Sequence, residues 1–142
     1  MTTPSARITA EAFTRLIHDT IPLAEIWPME VVALRWGHAS LRLAFTPAQV
    51  RAGGTLNGPT IMTLADTALY AAVLACIGLE PLAVTSDLTF RFLRRPAPVA
   101  LVAEAEVLKL GKRLAVGEVR IRSEGEADLV AHATGAYALP PR

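Results

Sequence analysis

The stretch Asn57-Gly-Pro-Thr-Ile-Met62-Thr-Leu-Ala-Asp66-Thr-Ala-Leu-Tyr70-Ala-Ala-Val-Leu-Ala-Cys76-Ile-Gly78 decides how this chain folds. Asparagine is a good helix cap. Proline suits an early helical position, where its missing amide hydrogen would have had no partner, and glycine suits the far end. The spacing predicts a helix of about five turns. Apart from one carboxylate, Asp66, its residues are apolar or small all round, so the helix is expected to be buried on every side. Asp66 is the only charged side chain between Arg51 and Glu80. An unpaired carboxylate in such a place costs several kcal/mol, so it calls for a reason, and the reason expected here is catalysis.

Working outward, Thr9 caps an amphipathic helix in which Phe13, Leu16, Ile17 and Ile21 recur at helical spacing until Pro22 ends it. Val31 to Trp36 and Ala39 to Phe45 are predicted to form a hairpin around Gly37-His38. The segment from Thr46 to Leu56, with Pro47 and Gly53-Gly54, is predicted to be a loop. Four more strands are expected at Leu82–Phe92, Ala100–Leu110, Arg113–Ser123 and Leu129–Leu139, the last three as a meander. Alternation is clearest where Ala115, Gly117, Val119 and Ile121 share one face, the small residues leaving room for a neighbour. An antiparallel sheet with a single long apolar helix buries that helix best by curling around it. The expected class is therefore α+β, one domain over 1–142, with an N-terminal helical segment at 1–22 and a core at 29–139.

At 142 residues the chain can bury a core without disulfides or metal. Its 52% hydrophobic content and mean hydropathy of +0.38 point to surface hidden between copies, hence a homo-oligomer. A net charge of +1 argues against nucleic acid or an anionic membrane as partner. The uninterrupted apolar run from Thr67 to Leu79 is shorter than the roughly 20 residues that cross a bilayer. Neither end resembles a secretory or anchor signal, and a cytoplasmic location is expected. Cys76, the only cysteine, is expected to be inert in its apolar setting. His18, His38 and His132 show no paired ligand spacing, so no metal is expected.

Gly53-Gly54-Thr-Leu-Asn57-Gly58-Pro59, the Leu64-Ala-Asp66-Thr-Ala signature, the strand from Leu82 to Pro96, the Gly111-Lys-Arg-Leu-Ala-Val turn and Val130 to Tyr137 together resemble the hotdog-fold acyl-CoA thioesterases of the PaaI-like (phenylacetyl-CoA thioesterase) branch. The resemblance implies a sheet wrapped around one helix and hydrolysis of an acyl-CoA at a site shared by two subunits, in a dimer or tetramer. It implies Asp66 as nucleophile or general base, the Gly58 amide as donor to the thioester carbonyl, and Thr85 as a hydroxyl that positions water. Asn57 stands where the family usually has histidine, and Pro59 where it has a second glycine. Any imidazole role is thus absent, and a second amide donor is missing, a loss typically worth about 2.7 to 4 kcal/mol. An Asn57 side-chain amide hydrogen could compensate.

The chemistry is consistent with this. A helix amino terminus offers free amide hydrogens to a developing oxyanion, and glycine permits close approach. Gly58 and Asp66 are separated by about two turns, roughly 12 Å, too far to hold one carbonyl from a single subunit. Pro59, Met62 and Tyr70 are candidates for substrate contact, Tyr70 either lining an acyl pocket or filling core. Arg94, Arg95, Lys109, Lys112 and Arg113 are candidates for nucleotide phosphates or simply a solvated rim. No cofactor is expected beyond coenzyme A within the substrate. The rival for Asp66 is a structural role, paired with a buried cation or in a polar cluster with Thr63 and Thr67, and the rival function is an acyl-CoA or acyl-carrier thioester binding protein without turnover.

Overall fold

In the computed structural model, which describes residues 2–141, the central helix begins and ends where the sequence expects. The outermost positions of the expected domain, Met1 and Arg142, lie outside the described residues. Helix α1 spans Ala10–Thr20, and Thr9 caps it by accepting a hydrogen bond from the Ala12 amide at 3.1 Å. Helix α2 spans Gly58–Ile77. The Asn57 Oδ1 accepts from the Thr60 amide at 2.8 Å and from the Thr60 hydroxyl at 2.7 Å. Gly78 closes the helix with φ +91, a left-handed conformation that favours glycine, and its amide donates to the Leu74 carbonyl.

The strands are β1 (Met29–Arg35), β2 (His38–Leu43), β3 (Val84–Phe92), β4 (Leu101–Leu110), β5 (Leu114–Ser123) and β6 (Leu129–Ala138). They form one antiparallel sheet in the order β1-β2-β4-β5-β6-β3, with β4, β5 and β6 as the expected meander. Two short 3-10 turns, Pro22–Ile26 and Pro47–Gln49, were not expected. The second tightens the predicted loop, which is further closed by a bridge between Val50 and Leu56.

The sheet curls around α2, and Leu64, Leu69, Val73 and Leu74 are completely buried against Leu41, Leu101, Val119 and Ile121. Each buried leucine of this kind contributes about 1.5 to 3 kcal/mol. At 20 residues and a mean hydropathy of 1.7, α2 is long and apolar enough to cross a bilayer, longer than the run from Thr67 suggested. Here the protein's own sheet buries most of it.

The expectation of burial on all sides needs correction at the amino-terminal half. Pro59 and Met62 are exposed in the single chain, and Thr63 and Asp66 are partly exposed. These positions recur at three- and four-residue spacing, so they make one open face. Cys76 is buried as expected, and burial pushes its thiol pKa up to about 11, which leaves it protonated and inert at neutral pH.

Gly117 of β5 shows why small residues lie under the helix. A Cβ there would come within 2.6 Å of both the Leu69 Cδ1 and the Glu106 carbonyl oxygen. The second of these is backbone and cannot swing aside. Gly117→Ala is therefore expected to destabilise the fold by about 1 to 3 kcal/mol. Urea unfolding of the two proteins side by side checks this, and an unchanged midpoint would show that the sheet can yield at Glu106.

Candidate active site

Asp66 lies on the open face of α2, where β3 and β6 meet the helix. Thr85 pairs with Tyr137 across the β3–β6 ladder, and the register then slips between Thr85 and Asp87. A bulge of this kind re-aims the side chains beside it. On β6, Tyr137 has Ala115 of β5 as its other neighbour, a small residue that leaves the ring room.

These placements bring two hydroxyls onto one carboxylate oxygen. Thr85 Oγ1 donates to Asp66 Oδ1 at 2.7 Å, and the Tyr137 hydroxyl donates to the same oxygen at 2.5 Å. Such charge-assisted bonds are stronger than neutral ones. The carboxylate is thus hydrogen-bonded rather than orphaned, which corrects the expectation of an unpartnered buried charge. Nor does it join Thr63 and Thr67, because the Thr67 hydroxyl donates to the Thr63 main-chain carbonyl at 2.8 Å.

Asp66, Thr85, Tyr70 and Tyr137 line a cavity of about 460 Å³. Its apolar wall is supplied by Ile17 and Ile21 at the end of α1, by Trp27, and by Pro81, Ala83 and Val84 leading into β3. Tyr70 both lines the cavity and packs in the core: it stacks on Tyr137 with ring centroids 5.6 Å apart and 9° between planes, and meets Phe13 edge-on.

The other candidate residues lie elsewhere in the single chain. Gly58 and Arg94 open onto a second cavity of about 400 Å³, together with Arg51 and Arg95. Asn57 and Pro59 line a third, of about 290 Å³, which shares Trp27 and Thr63 with the first. Met62, Lys109, Lys112 and Arg113 are exposed or partly exposed and line none of the three. Asn57 spends its carbonyl oxygen on Thr60, leaving only its amide hydrogens for another partner.

Gly58 has no internal need to be glycine. A Cβ there would meet only the Phe92 ring at 3.8 Å, an ordinary contact, and its φ is not positive. Sequence reading missed Tyr137, Trp27 and Arg51 as site residues. Tyr137 was visible only as the end of the motif-bearing region, and Arg51 only as an isolated charge.

Both tyrosines are held in the protonated form. Burial raises the Tyr137 pKa far above its usual value, with the Asp66 charge and its hydrogen bond acting in the same direction; burial alone raises that of Tyr70. A folded-state pKa above the unfolded value of 10.0 means that this contribution to stability is complete below about pH 10 and is lost as pH rises above it. Absorbance titration at alkaline pH is therefore expected to show phenolate appearing together with loss of the circular dichroism signal. Ionisation of either tyrosine in the folded protein near pH 10 would contradict this.

Known structures share the fold. A candidate thioesterase from Silicibacter sp. TM1040 is 34% identical, with a TM-score of 0.86 over 96% of this chain and 94% of that one. A variant of the phenylacetic acid degradation protein PaaI from Thermus thermophilus is 27% identical, with a TM-score of 0.74 over 84% of this chain and 99% of that one. PaaI from the phenylacetic acid degradation operon of E. coli is 22% identical with a TM-score of 0.79 over 92% and 93%, a likeness of fold alone. No curated protein matches the sequence significantly. The wrapped helix is thus the hotdog arrangement of PaaI-like proteins, and residues 53–130, more than half of the chain, match the family model "Thioesterase superfamily": the chain belongs to that superfamily.

Proposed function

We propose that this protein is a cytoplasmic thioesterase that hydrolyses an acyl-CoA, with an aromatic or medium-chain acyl group, to the free acid and coenzyme A. The observation that carries this reading is the Asp66 carboxylate, held by two hydroxyls on the wall of a cavity large enough for such a group. Ile17, Ile21, Trp27 and Tyr70 offer the acyl group an apolar lining. The thioester carbonyl faces the Gly58 amide at the amino end of α2, where free N–H groups and the helix dipole favour the negative charge that builds on oxygen. Asp66 either attacks the carbonyl carbon itself, giving an acyl–Asp66 anhydride that a water then hydrolyses to the acid and the free carboxylate, or takes a proton from the water that attacks directly. On both routes the C–S bond breaks and coenzyme A leaves as the thiol. No metal or redox cofactor is needed, coenzyme A entering only as part of the substrate.

The working unit on this reading is a dimer. Within one chain Asp66 and Gly58 open onto different cavities, and about eight residues of helix at ~1.5 Å each keep them roughly 12 Å apart. A second copy brings its Gly58 to the first copy's Asp66. The outer edge of β3 supports such a contact, for it pairs with no further strand among the described residues and Val84 and Phe92 on it are more than half exposed. Arg51, Arg94 and Arg95 around the Gly58 cavity suit the nucleotide phosphates of coenzyme A. Lys109, Lys112 and Arg113, at and beside the β4–β5 turn, line none of these cavities and remain an exposed rim.

Thiol release from a panel of aromatic and aliphatic acyl-CoAs is expected with the wild type and not with Asp66→Asn. Binding of acyl-CoA without turnover by either protein would instead favour a thioester-binding role, which the single donor left by Pro59 makes the natural second reading. The shared site has its own test. Asp66→Asn and Gly58→Val proteins are each expected to be inactive, but mixing them after dissociation should restore about a quarter of wild-type activity, since half of the random dimers then carry one intact site. No recovery on mixing would mean that each chain works alone.

A further inference from the structure

The hydroxyl of Tyr137 has no packing reason to exist. Its ring is 3% exposed and fixed by the stack on Tyr70, which phenylalanine would make equally well. Yet the hydroxyl is buried beside a carboxylate, 2.5 Å from Asp66 Oδ1 and 3.0 Å from the Asp66 main-chain carbonyl oxygen. It therefore reaches both the side chain and the backbone of one residue in the middle of α2, and ties that turn of the helix to the sheet.

Thr85 donates to the same Oδ1 from the cavity mouth. Among the described residues Oδ2 receives no hydrogen bond from the protein. One oxygen of the carboxylate is thus doubly bound and the other is left to the cavity. A carboxylate gripped in this way cannot rotate to exchange its oxygens without losing two charge-assisted bonds.

Resting on the reading of Asp66 given above, we propose that Tyr137 is a positioning residue: with Thr85 it pins Asp66 through Oδ1, so that Oδ2 is the oxygen that meets the substrate or the attacking water. Tyr137 does not itself exchange protons with the substrate. Its proton is committed to Asp66, and its burial beside that charge keeps the phenol neutral throughout the working range. Among the described residues, Tyr70 and Tyr137 are the only other titratable side chains lining the cavity. His18 and Asp19 on α1 and Asp87 on β3 are exposed to solvent.

Tyr137→Phe keeps the ring and removes the donor. Its kcat is expected to fall about tenfold or more, the worth of a hydrogen bond to a charged group, with KM little changed. Thr85→Val should behave alike and Thr85→Ser should restore wild-type kcat, a rescue that a merely structural role would not show. Site-specific 3-fluorotyrosine at 137, which keeps the shape and strengthens the donor, should hold kcat at the wild-type value or above it, and it serves if the phenylalanine variant does not fold. A folded Tyr137→Phe protein with wild-type kcat would overturn the proposal. The thioesterase reading fails separately, if the wild type turns over no acyl-CoA. In that event the 13C chemical shift of the Asp66 side-chain carboxyl at neutral pH decides for Tyr137: a changed shift in Tyr137→Phe upholds the grip on Oδ1, and an unchanged one refutes it.

Discussion

Helix α2 has too little polar surface to lie on the outside of a small protein, and the rest of the architecture follows from enclosing it. The sheet must curl, because a flat one would cover a single face. It must also come close, and at Gly117 and Ala115 the strand beneath the helix is stripped of side chain so that Leu69 can approach and Tyr137 can fit. The one part that the sheet leaves open is the face carrying Pro59, Met62, Thr63 and Asp66. The candidate site is therefore the place where enclosure stops, and the carboxylate sits at its boundary, reached by hydroxyls from the sheet on one side and by the cavity on the other.

This arrangement explains how the protein tolerates a charge in its most apolar element. Fixed hydroxyl donors replace much of the hydration that Asp66 gives up, and they do so in a defined direction, which water would not. The donors come from two strands far apart in sequence. Rigidity at Asp66 is consequently a property of the β3–β6 pairing and not of the helix alone.

Elements set by local chemistry were legible in the sequence. Thr9 and Asn57 as caps, Gly78 as a stop and the alternation through Ala115 to Ile121 are short-range features, and each appears at its expected residue. Asp66 stood out because a lone charge in an apolar run is visible without knowing any contact. What was not legible depends on long-range register. Tyr137 meets Thr85 and Asp66 only because β6 lies between β5 and β3 and because β3 slips by one residue after Thr85. Arg51 joins Arg94 and Arg95 only because the loop after β2 folds back through the Val50–Leu56 bridge. The exposure of the first turns of α2 was hidden for a related reason: composition reports how apolar a helix is, and not which side its sheet fails to cover.

Part of the apolar wall of the cavity comes from Ile17, Ile21 and Trp27, which precede β1 and lie outside the 53–130 stretch that carries the family match. The rest comes from Tyr70 of the central helix and from Pro81, Ala83 and Val84 at and just before the start of β3. The hydroxyls on the carboxylate come from the sheet alone, Thr85 from β3 and Tyr137 from β6. Ile21 and Trp27 are half-buried and belong to no strand, so an exchange at either would reshape the wall while leaving the β3–β6 pairing intact. The chamber can thus be recut from outside the sheet without loosening the hold on Asp66.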